Sequence, residues 1–74
     1  MMSARLRPLP YREVKRRLEA AGFIETSQKG SHVKFVRRSE TTVDTAIVPK
    51  KLEVAIGTLR SILSQAHIDP DDWD

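Results

Sequence analysis

Gln28-Lys29-Gly30-Ser31-His32-Val33-Lys34-Phe35 is the stretch around which the rest of this chain organises itself. A polar turn, Gln28-Lys29-Gly30, separates two runs of strand-forming residues, so residues 23–27 and 31–37 are expected to pair as a hairpin. Successive side chains of a strand point to opposite faces, which puts Ser31, Val33 and Phe35 on one side and His32, Lys34 and Val36 on the other. Val33 and Phe35 are the natural buried pair. His32 and Lys34 then stand together on an open face, with Lys29 nearby at the turn. An imidazole beside ammonium groups suits the handling of a phosphodiester.

Working outward, residues 11–21 carry Val14, Leu18 and Ala21 at i, i+4 and i+7, the spacing of one helical face. Pro10 can open that helix, and Gly22 is placed to end it in a left-handed cap. Beyond the hairpin, Arg38-Ser39-Glu40-Thr41 is a second polar turn. The β-branched run at 42–48 predicts a third strand, stopped by Pro49. Residues 50–56 read as a loop with a helical turn. From Thr58 the spacing of Leu59, Ile62, Leu63 and Ala66 predicts a second amphipathic helix, with Gly57 or Thr58 near its cap. Asp69-Pro70-Asp71-Asp72 opens a further short turn that carries Trp73, read as a clasp over the core. The order predicts an α+β two-layer fold, a three-stranded antiparallel meander with both helices on one face.

With 74 residues the chain is expected to form one domain over 1–74, burying only about 60% of its unfolded surface. Without cysteine it has neither a disulfide staple nor a thiolate metal site, which fits a reducing cytosol. The start, Met1-Met2-Ser3-Ala4-Arg5, is not followed by an apolar run, and no segment is long enough to span a bilayer, so a soluble, cytoplasmic protein is expected. The net charge of +3 understates the basic character, because Asp69, Asp71, Asp72 and Asp74 crowd the end; without them 13 basic side chains face 6 acidic ones, a charge of +7. The cations cluster at Arg5, Arg7, Arg12, Lys15, Arg16 and Arg17, then Lys29, Lys34, Arg37 and Arg38, then Lys50 and Lys51. Such an excess favours a polyanionic partner, RNA among them, through phosphate attraction and counterion release. A merely solvated basic surface is the competing reading.

His32 leads the residues that could carry chemistry. An imidazole exchanges protons near neutrality, and RNA supplies its own nucleophile in the 2′-hydroxyl. Lys29 and Lys34 are placed to hold a phosphate and stabilise developing charge, Ser31 to orient phosphate or imidazole, and Gly30 to let the backbone turn tightly. The scheme wants two proton-transfer groups and offers one histidine; a lysine, Tyr11 or a water are the alternatives for the second. Arg37, Arg38, Lys50 and Lys51 extend the candidate RNA contacts. His67 is read as a cation at a helix C-terminus. No metal and no cofactor is expected: Asp44 and Glu40 around the meander form no carboxylate pair, no His-x-x-x-His occurs, and the terminal acids lack the glycine and closing glutamate of a calcium loop.

Lys29-Gly30-Ser31-His32-Val33-Lys34-Phe35, Val48-Pro49 and Gly57-Thr58-Leu59-Arg60-Ser61-Ile62-Leu63-Ser64-Gln65-Ala66 resemble, in that order and spacing, the HicA mRNA interferase family, also called YcfA-like. Gly22-Phe23 after the leading helix matches as well, and the resemblance covers roughly residues 8–73. It implies a type II toxin with a fold like a double-stranded RNA-binding domain, which cleaves mRNA without a metal and is silenced by a HicB-like antitoxin. The catalytic histidine of that pattern falls on His32 and the glycine before it on Gly30. Two departures stand out: Lys50 and Lys51 occupy a loop where many members have histidine, and His67 stands where glycine is common. The competing functions are a non-catalytic RNA-binding module and a pure protein-interaction domain.

Overall fold

The computed structural model describes residues 6–73, so Arg5 and Asp74 lie outside the described residues. Its elements are α1 (Tyr11–Ala20), β1 (Ile24–Lys29), β2 (His32–Arg38), β3 (Val43–Pro49), α2 (Ile56–Ala66) and a 3-10 turn at Pro70–Asp72. The strands form one antiparallel sheet in the order β1-β2-β3, with β2 central. This is the α-β-β-β-α arrangement that the sequence predicts. Among the described residues no helix is long and apolar enough to cross a membrane.

One apolar cluster joins the two layers. Val14 and Leu18 of α1 and Leu59, Ile62, Leu63 and Ala66 of α2 meet Val33, Phe35, Ala46 and Val48 of the sheet. These strand residues occupy alternate positions, so both helices cover the same face and the other stays open. Trp73 closes the edge of this core: it is buried, and Arg17 donates to its carbonyl at 3.1 Å while lying 5.6 Å from the ring centroid.

Several boundaries differ from expectation for local reasons. The hairpin closes in two residues, Gly30 and Ser31, because Lys29 pairs directly with His32; Lys29 is therefore the end of β1 rather than part of the turn. α2 begins before Gly57 and Thr58, which lie in its first turn; the backbone of Ala55 starts it, accepting from the Leu59 N–H at 2.9 Å, with no side-chain cap. The loop after β3 is pinned rather than helical. Leu9 and Val54 form an isolated antiparallel bridge, with Leu9 N–H donating to Val54 at 3.2 Å and Val54 N–H to Leu9 at 2.6 Å.

Both helices end alike. In α1, Gly22 takes φ +99° while Phe23 N–H donates to the Leu18 carbonyl and Gly22 N–H to that of Glu19, the paired bonds of a Schellman cap. In α2, His67 occupies the corresponding left-handed position with φ 55°, while Ile68 N–H donates to Leu63 and His67 N–H to Ser64. Arg37 joins the two ends. Its guanidinium donates to the Ala21 carbonyl at 3.1 Å and the Ala66 carbonyl at 3.2 Å, and to Asp44 Oδ2 at 2.9 Å, while lying 4.7 Å from the Phe23 ring centroid. Asp44 Oδ1 in turn meets His67 Nδ1 at 2.8 Å.

The hydrogen bond from Arg37, and secondarily that with His67, holds the Asp44 carboxyl below the ordinary aspartate value of 3.8. A carboxyl depressed on folding adds stability above that ordinary value, and the gain disappears as pH falls through the lowered folded value. Asp44→Asn is expected to be less stable than the parent at neutral pH and to lose less of its remaining stability as pH falls below the ordinary value. Denaturant midpoints measured across an acid series check this; parallel pH profiles for the two proteins would contradict it.

Candidate active site

His32 opens β2 immediately after the tight turn, and its placement follows from Gly30. At φ +61°, Gly30 takes a backbone conformation that disfavours any Cβ, and Ser31 stays at negative φ, the pattern of a type II′ hairpin. Gln28 Nε2 donates to the Gly30 carbonyl at 2.9 Å and fixes the turn further. His32 is exposed on the open face, flanked across the sheet by Lys29 of β1 and Pro49 of β3. Cross-strand neighbours have Cβ atoms roughly 5 Å apart, and Lys34, two residues along the same face, stands about 7 Å away. The imidazole therefore has an ammonium-bearing side chain on two sides. Among the described residues its ring has no hydrogen bond or ion pair, so both nitrogens face solvent.

The loop after β3 is bound to this turn. Lys50 N–H donates to the Ser31 carbonyl at 2.6 Å, Tyr11 N–H donates to the Lys51 carbonyl at 3.2 Å, and the Lys50 ammonium lies 5.7 Å from the Tyr11 ring centroid. Hairpin tip, loop and the first residue of α1 thus form one connected end of the molecule. Burial first, and the charge of Glu25 second, push the Tyr11 phenol above its ordinary pKa, which keeps it protonated.

The structure sorts the cations that the sequence could only count. On α1, Lys15 pairs with Glu25 at 3.0 Å, while Arg16 and Arg17 share Glu13, whose carboxyl their hydrogen bonds hold down at about 2. Lys29, Lys34, Arg38, Lys50 and Lys51 have no acidic partner among the described residues. Arg37 is not one of this group: it faces the helices, half-buried and bonded to Asp44 and two helix-end carbonyls. Arg38 is on the open face but at the far end of β2, six residues or about 20 Å from His32. Ser31 sits in the turn, its carbonyl occupied by Lys50. His67 belongs to the Asp44 cluster at that far end and supplies no second imidazole here. Among the described residues no group of three or more His, Cys, Asp or Glu is placed to hold a metal ion.

Sequence periodicity missed the union of Tyr11 with the loop, since the two are distant in the chain and joined by main-chain bonds. The fold and this end of it define a small α+β domain whose open face presents one histidine among unpaired lysines. The family model described as the HicA toxin of bacterial toxin-antitoxin matches residues 11–68, and the chain belongs to the HicA toxin family. Membership implies an antitoxin partner. Neither a curated protein nor a solved structure matches the chain significantly.

A Cβ built on Gly30 meets nothing within 4 Å, so substitution there tests the backbone alone. Gly30→Ala is expected to fold and to lose about 1–2 kcal/mol, the cost of a left-handed conformation for an L-residue. Equal denaturant midpoints for parent and Gly30→Ala would show that the turn relaxes freely.

Proposed function

We propose that the protein is an endoribonuclease toxin that cleaves mRNA in the cytoplasm without a metal, with His32 as general acid or base. The observation that carries this is the exposed His32 beside Lys29 and Lys34 on the face opposite the helices. On this reading the RNA 2′-hydroxyl loses its proton and attacks the adjacent phosphorus, the bond to the 5′ oxygen breaks, and that oxygen is protonated as it leaves. The products are a 2′,3′-cyclic phosphate and a 5′-hydroxyl. Lys29 and Lys34 neutralise the charge that gathers on the non-bridging oxygens. Lys50 and Lys51, with the backbone of Gly30 and Ser31, hold neighbouring parts of the strand, and Arg38 reaches only a distant phosphate. Arg37 has no part in it, because its guanidinium secures the fold.

The test separates chemistry from folding. His32 is exposed, so His32→Ala is expected to shift stability by no more than about 0.5 kcal/mol. It should lower cleavage roughly 10² to 10⁴-fold, the usual contribution of one proton-transfer group. RNA affinity should change far less, because the lysines remain. Purified proteins are compared on RNA in the presence of a chelator. Cleavage by folded His32→Ala at the parent rate would remove His32 from catalysis and leave an RNA-binding module as the better reading.

We also infer that the antitoxin is a HicB-like protein that silences the toxin by covering this open face. A face whose cations lack acidic partners attracts an acidic protein as readily as it attracts RNA. A structure of the toxin-antitoxin complex is expected to show His32, Lys29 and Lys34 buried against acidic side chains. A complex in which His32 stays fully accessible would refute occlusion.

A further inference from the structure

We propose that a nucleotide flanking the cleaved bond seats its base in the cleft lined by Pro10, Tyr11, Arg12, Lys51 and Leu52. This subsite rests on the RNA-cleaving reading given above. The cleft has a volume of about 200 Å³, below the roughly 300–1,000 Å³ of sites that take drug-sized ligands, and so suits a single ring system.

Its position follows from the strand. Pro49 lies beside His32 on the open face, so the next residue, Lys50, turns its side chain toward the helix side, where it meets the Tyr11 ring. The cleft and His32 therefore occupy opposite sides of one sheet end, joined by the Lys50–Ser31 bond. An RNA strand passing over that end places one nucleotide at His32 and a neighbour at Tyr11. The cleft accordingly holds a base beside the reacting phosphate, never the reacting phosphate itself.

Its chemistry points to a nucleotide. A lone exposed leucine says nothing by itself. Leu52, at 97% exposure, differs because it forms a wall of a cleft that also contains a proline and an aromatic ring. Around these apolar surfaces stand Arg12, Lys50 and Lys51, none with an acidic partner among the described residues, and no acid lines the cleft. An apolar slot rimmed by unpaired cations matches a ligand that offers a flat apolar face and a phosphate on either side of it. Proteins that bind single strands combine a base-stacking surface with a basic track in this way. The Lys50 ammonium, resting on the Tyr11 ring within the roughly 6 Å range of a cation–π contact, is held in place without any acid to neutralise it.

The experiment uses the His32→Ala protein, in which RNA stays intact, and a short fluorescent single-stranded RNA of mixed sequence. Adding Leu52→Ser should weaken binding about tenfold, the scale of losing one base-stacking contact, with the melting temperature unchanged because Leu52 buries almost nothing. Scanning a single abasic site along the RNA should reveal one position whose base matters to the Leu52 protein and no longer matters after Leu52→Ser. Equal affinities for RNA with and without the substitution overturn the subsite while leaving RNA cleavage standing. The same equality joined to weaker inhibition by the antitoxin overturns it in favour of a protein contact at Leu52. A parent chain that neither binds nor cuts RNA overturns the function proposed above, and the subsite falls with it.

Discussion

One side chain, Arg37, ties the ends of both helices to the sheet. A helix leaves its last carbonyls without intrahelical donors, and α1 and α2 both end over the same region of the sheet. A single guanidinium reaches the Ala21 and Ala66 carbonyls, and Asp44 of β3 fixes its orientation. The five donors of an arginine fork allow this, and a lysine in its place has no such geometry. Phe23 lies beneath the guanidinium, and a Cβ on Gly22 would stand 3.4 Å from Arg37 Cδ, so the α1 cap and the clamp are shaped to each other. In a chain this short, with little core to spare, a link serving two helix ends at once substitutes for area that cannot be buried.

The clamp also explains the division of the sheet. Because Arg37 and Asp44 face the helices, they belong to the side where change is costly. The open face carries His32, Lys29 and Lys34, all exposed, so substitutions there are separable from stability. The two ends of the sheet divide as well. One is locked by Arg37, Asp44 and His67; the other presents the histidine, the tight turn and the unpaired lysines. A basic patch repels itself, and here the opposite end, with its ion pairs and two helix caps, holds the frame against that repulsion.

Much of this was legible in the sequence because it depends on period and on turn chemistry. The alternation through Val33 and Phe35 placed His32 on the open face, and the spacing of Leu59, Ile62, Leu63 and Ala66 defined α2. Residue type alone did not reveal which cations are free. Arg37 and Arg38 are adjacent and chemically identical, yet one faces the helices as a clamp and the other faces solvent. The alternation that buries Val33 and Phe35 continues to Arg37, and the register that brings Asp44 opposite it supplies the partner that the sequence does not show. Val36 shows the same limit in the other direction: it is on the open face yet only 8% exposed, because β2 is central and Ile24 and Thr45 flank it. His67 sits at the helix end that the sequence assigns it, but its left-handed backbone belongs to a Schellman cap that more commonly uses glycine, and its ring meets Asp44, which no local pattern shows.

The same geometry narrows the question of the second proton-transfer group under the proposed chemistry. His67 is removed from the choice, since it is held at the opposite end of the sheet by Asp44. Tyr11 is on the helix side, where its ring meets Lys50, and so is turned away from the open face. That leaves the ammonium groups of Lys29 and Lys34 and solvent. An ammonium beside a departing 5′ oxygen both donates a proton and neutralises charge, whereas water does only the first. The pairing of Lys29 with His32 across the hairpin puts these two side chains on one face in fixed register. Under the proposed chemistry, the two-residue turn that Gly30 permits is what brings His32 and Lys29 together, at one end of a hairpin rather than in a pocket.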